Sequence, residues 1–137
     1  MEGEAVYSVI IYIIIGAVLS AIDYKTHVIP NVIVVPAVLI GAILTHNWGW
    51  AVMLFIWGAY LFAKGVIMGG DVKLLAMVGA SLGPIGAGAV FLSFIVSAFL
   101  HVIKARMVLP FAPVVYTVSL VLMATNYIWQ GCHFMVR

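Results

Sequence analysis

Ala5-Val6-Tyr7-Ser8-Val9-Ile10-Ile11-Tyr12-Ile13-Ile14-Ile15-Gly16-Ala17-Val18-Leu19-Ser20-Ala21-Ile22 is a run of 18 residues without a charge, and it stops at Asp23-Tyr24-Lys25. As a helix it is roughly 27 Å long at 1.5 Å per residue, enough for the hydrocarbon core of a bilayer. It does not read as a cleavable signal peptide. The residues before it, Met1-Glu2-Gly3-Glu4, are acidic where a signal needs positive charge, and it ends in charged residues instead of a small-residue cleavage site. We expect a permanent first span.

The rest of the chain has the same character. Of its 137 residues 66% are hydrophobic and 7% charged, with a mean hydropathy of +1.29. A soluble domain carries roughly 25% charged residues, so the bilayer is the solvent this chain is built for. The net charge of +2 rests on scattered basic residues, which excludes a nucleic-acid partner. The single cysteine, Cys132, forms neither an intramolecular disulfide nor a CxxC-type metal site. No pair of histidines has helical metal-ligand spacing, so neither a metal nor an organic cofactor is expected.

Outward from the first run, residues 23–31 form the most polar segment, broken by Pro30, which disfavours helix at Ile29. Further spans are expected over residues 31–45, with Pro36 as a kink, 48–66, 71–82, 85–103 and 111–129. The fourth reaches only roughly 18 Å before Gly83-Pro84. Gly79 and Gly83 form a GxxxG pair in a stretch rich in small residues, which lets helix backbones approach closely in lipid. The expectation is an all-α membrane protein, a bundle of about six transmembrane helices forming one integral-membrane domain over residues 1–137.

Charge sign tests this layout independently of hydropathy. With the N-terminus outside, Lys25, Lys64, Lys73, Lys104 and Arg106 fall on the cytoplasmic side and only Arg137 falls outside, as the excess of cytoplasmic basic residues requires. Asp23 and Asp71 fall on that same face. The other two acidic residues, Glu2 and Glu4, sit at the N-terminus.

An ionisable group at the end of a membrane segment is a functional candidate. Each aspartate has a plainer reading, a side chain reaching water beside Lys25 or Lys73, and Asp71 can also cap the helix it begins, where negative charge is favoured. As a pair on one face they can do more. Two carboxylates a few ångströms apart share a proton. One can then take a proton from water while the other protonates or polarises a carbonyl. Gly69 and Gly70, immediately before Asp71, let the backbone turn and leave room for an extended peptide. Lys25 and Lys73 can tune the pair, bind lipid phosphates or simply anchor the face. No serine lies in a GxSxG context and no phosphate-binding loop is present. A proton channel would need an acidic relay reaching the other face, and none continues.

Three motifs in order resemble the type IV prepilin peptidases, which include the preflagellin peptidases of archaea: Asp23 followed by Ile29-Pro30-Asn31; Gly70-Asp71-Val72-Lys73-Leu74; and Pro110-Phe111-Ala112-Pro113. The resemblance implies an aspartic endopeptidase of the bacterial inner membrane that removes the basic leader from prepilin-like precursors at the cytoplasmic face. Asp23 and Asp71 would be its catalytic pair, with Gly69, Gly70, Lys73, Lys25, Pro30 and Asn31 as supporting residues, and membrane lipid and precursor proteins as its partners. The chain lacks the cysteine-paired methyltransferase region of bifunctional members and is similar to the small, peptidase-only type of Flp/Tad pili. Met68 stands where the family has its first glycine. The alternative is a catalytically impaired relative that binds prepilins or assembly proteins without cutting them.

Overall fold

A computed structural model describes residues 2–103 and 110–135; Lys104, Arg106 and Arg137 lie outside the described residues. The elements are all helical: α1 (Glu2–Thr26), α2 (Asn31–Thr45), α3 (Trp48–Ala63), α4 (Gly69–Ile103) and α5 (Phe111–Met135). Helices are the expected answer to an apolar solvent, because every backbone polar group must be satisfied within the segment.

α4 is the hub and packs against each of the other four helices. Its first limb, residues 69–82, is enclosed beyond its first turn: Leu74, Leu75, Ala76, Met77, Val78 and Ala80 are all buried. Polar ties join the helices around it. Thr45 Oγ1 donates to the Ala80 carbonyl at 2.6 Å, tying α2 to α4, and Tyr116 Oη donates to the Ile13 carbonyl at 2.9 Å, tying α5 to α1. The outer surface is apolar as well, with Val32, Val102, Ile14, Phe91 and Phe99 exposed. An apolar exterior over an apolar interior fits a lipid solvent.

Three helices have an apolar stretch long enough to cross a membrane: Val9–Thr26, Gly69–Leu100 and Phe111–Ile128. α2 and α3, at 15 and 16 residues, are apolar but shorter. The bundle is all-helical and apolar as expected, but six membrane spans are not found among the described residues: residues 31–45 and 48–63 fall short of spanning length. The boundary expected at Gly83-Pro84 is present: α4 is two helical limbs meeting at a sharp kink, and the second limb returns toward the first, so that Phe94, Ser97 and Ala98 line the same groove as Asp71. Gly83 alone leaves helical geometry, at φ 56° and ψ −130°, where a side chain is strongly disfavoured. Pro84 then opens the second limb, where its missing N–H is least needed. The close approach expected of Gly79 is present: a Cβ there would meet the Trp50 carbonyl oxygen of α3 at 2.6 Å.

A second correction concerns residues 23–26. They continue α1 instead of forming a loop, because the His27 N–H still donates to the Asp23 carbonyl at 2.9 Å and Thr26 Oγ1 to that of Ile22 at 2.9 Å. His27 ends the helix in left-handed geometry at φ 52°.

Candidate active site

Asp23 lies on the last turn of α1 and is 5% exposed. A bare carboxylate so buried would be costly. It has a partner: Oδ2 accepts the N–H of Ala112 at 3.0 Å. Ala112 is the second residue of α5, so Asp23 caps a helix other than its own. Asp71 is the third residue of α4. Its Oδ2 accepts the Met68 N–H at 3.0 Å, while its own N–H donates to the Met68 carbonyl at 3.0 Å. This reciprocal pairing closes the helix start as a capping box does. Each carboxylate thus sits at the positive end of a helix, which favours its charge. Among the described residues each uses Oδ2 alone, leaving Oδ1 for an occupant.

Both aspartates line one groove of about 1070 Å³, and Asp71 lies within electrostatic reach of Asp23. The connection before α2 (residues 27–30) and the one before α4 (residues 65–68) form part of its lining. Lys73, Phe94, Ser97, Ala98, Pro110 and Phe111 contribute the rest.

The other sequence-predicted residues fall into place unequally. Pro30 precedes α2 with φ −73° and ψ 126°, and its carbonyl accepts the N–H groups of Ile33 and Val34, each at 3.2 Å. Asn31, the first residue of α2, accepts a hydrogen bond on Oδ1 from Lys73 Nζ, tying α4 to the start of α2. Lys25 is exposed and is not among the residues lining the groove. Gly69 and Gly70 belong to the first turn of α4 and not to a sharp bend; the positive-φ glycine nearby is Gly65, at φ 72°. Gly70 is needed for packing, since a Cβ there would lie 3.1 Å from Ile29 Cβ. Met68 engages Asp71 through its main chain, and its side chain, 62% exposed, sits at the rim of the groove.

The structure also gives the segment 110–113 a local role. Ala112 supplies the amide that holds Asp23, and the ring of Phe111 lies 4.9 Å from that of Phe94, which in turn meets Trp57 edge-on at 5.3 Å. Phe94 and Ser97, on the second limb of α4, carried no sequence signal: they are single residues of common type in an apolar helix. Among the described residues no group of three or more His, Cys, Asp or Glu side chains converges as a metal site would require.

Residues 10–105 match the family model described as the type IV leader peptidase family. That span holds both aspartates and stops short of the 110–113 segment. No curated protein and no solved structure matches the chain.

Proposed function

Because the chain belongs to the type IV leader peptidase family, we propose that it is an aspartic endopeptidase that removes the basic leader from prepilin-like precursors, with Asp23 and Asp71 as its catalytic pair. One observation carries the reading: the two buried or half-buried aspartates of the described bundle line a single groove large enough for a peptide. One carboxylate, ionised, takes a proton from the attacking water. The other, protonated, donates to the scissile carbonyl and stabilises the oxyanion as it forms. The amides of Ala112 and Met68 hold Oδ2 of each, so Oδ1 of each is the oxygen that reacts.

The whole bundle acts as one peptidase domain in the bacterial inner membrane, with the N-terminus outside. The groove then opens on the cytoplasmic side. Lys25, Lys64 and Lys73 lie at helix ends on the side of the bundle that carries the two aspartates, in keeping with that orientation. Membrane lipid surrounds the exposed apolar faces.

The test is reconstitution of the purified chain in liposomes with a prepilin-like precursor, followed by mass spectrometry of the products. The expected product is a single cut between the basic leader and the hydrophobic segment. A precursor that binds and stays intact would leave the impaired-relative reading in place and refute this one.

A further inference from the structure

The groove contains backbone that no helix satisfies. Val28-Ile29-Pro30 leads into α2 and Val66-Ile67-Met68 leads into α4; both are non-helical and both line the groove beside the aspartates. Among the described residues the amide and carbonyl of Ile29, and those of Ile67, have no hydrogen-bond partner. Ile29 is buried and precedes a proline, which holds it in extended geometry. A third polar group joins them: Ser97 lines the same groove, and its buried Oγ has no partner among the described residues. In a low-dielectric site such groups are costly unless an occupant supplies partners.

We propose that the groove holds its peptide as an extended strand, recognised through the peptide's main chain by the backbone of Ile29 and Ile67 and by Ser97 Oγ. This rests on the peptidase reading and deepens it. A single extended residue can exchange both of its main-chain bonds with one residue of a neighbouring strand, and such strand addition takes its affinity from the main chain and its selectivity from side-chain pockets. A helical segment has already used its own N–H and C=O groups and offers nothing to Ile29. The site therefore selects the unwound part of a precursor over its hydrophobic helix, whatever the side chains at the paired positions.

The experiment measures both binding and cleavage of a fluorescent prepilin-like peptide by the reconstituted protein. A series of analogues replaces single peptide bonds flanking the cut by esters, each deleting one N–H. The expected result is a rise in Kd of about three- to tenfold, the loss of one hydrogen bond, at alternating positions and not at those between. Ser97→Ala raises Kd by a similar factor and Ser97→Thr restores it. Esters tolerated at every position, or Ser97→Ala binding as the parent does, overturns the proposal. The two readings fail separately. A peptide that is cut yet indifferent to esters sinks strand recognition alone. One that binds with the alternating pattern yet is not cut supports strand recognition and sinks the peptidase. No binding at all sinks both.

Discussion

Asp23 is where structural and chemical roles are most tightly joined, and two substitutions separate them. Asp23→Asn removes the charge and the proposed acid–base function but keeps a side-chain oxygen able to accept the Ala112 N–H, now 3.0 Å from Oδ2. Asp23→Ala removes both. At 5% exposure water cannot readily replace the lost acceptor, so the alanine variant leaves a buried amide unpaired at a cost of about 1–3 kcal/mol. The asparagine variant loses mainly the favourable interaction of a charge with the helix start, about 0.3–1 kcal/mol. Unfolding in mixed micelles by titrated denaturing detergent, followed by circular dichroism, should rank the variants parent, Asn, Ala in falling stability. Cleavage should not follow that ranking. Both variants should lose at least about 10²-fold in rate, the lower end of what a positioned acid or base contributes. An Asn variant that cleaves at the parent rate would refute the catalytic assignment. Equal stability of Ala and Asn would refute the capping one.

The Lys73–Asn31 hydrogen bond joins α4 to the start of α2. A double-mutant cycle of Lys73→Met with Asn31→Ala should therefore show a coupling of about 0.5–1.5 kcal/mol in the same unfolding assay; additive effects would mean the contact contributes nothing. Gly70→Val should cost about 1–3 kcal/mol by overpacking against Ile29, whose Cβ a side chain would meet at 3.1 Å. Gly70→Ala should cost less, because helix propensity offsets the contact. Gly83→Ala should destabilise by about 1–3 kcal/mol, since its φ of 56° with ψ −130° disfavours a side chain and Asn47 Nδ2 lies 2.8 Å from where Cβ would be; an unchanged unfolding midpoint would show that the bend relaxes.

The fold was legible where the chain makes expensive choices. Pro30 and the polar residues before it set the start of α2 correctly, and 18 uncharged residues marked α1. The end of α1 was missed because Thr26 satisfies the backbone with its own hydroxyl, a local bond that composition does not reveal. Gly83-Pro84 was read as a boundary because both residues break helices. The structure places the break there: Gly83 leaves helical geometry, Pro84 starts the second limb, and that limb returns to the groove that Asp71 lines.

At the site the sequence exposed the side chains that are costly to place in an apolar chain, and these were the two aspartates. It was silent on what holds them, because the partners are main-chain amides of Ala112 and Met68, identical in kind to every other amide in the chain. For the same reason Met68 can stand in the place of a glycine and still serve Asp71. This has a consequence for how the site works. Each aspartate is also a helix cap, so the start of α5 and the start of α4 are positioned by the same side chains as the proposed catalytic pair. A change that shifts the start of α5, even one distant from the groove, must move Asp23 with it. The packing of the bundle and the spacing of the carboxylates are therefore one adjustment, made through two amide hydrogen bonds.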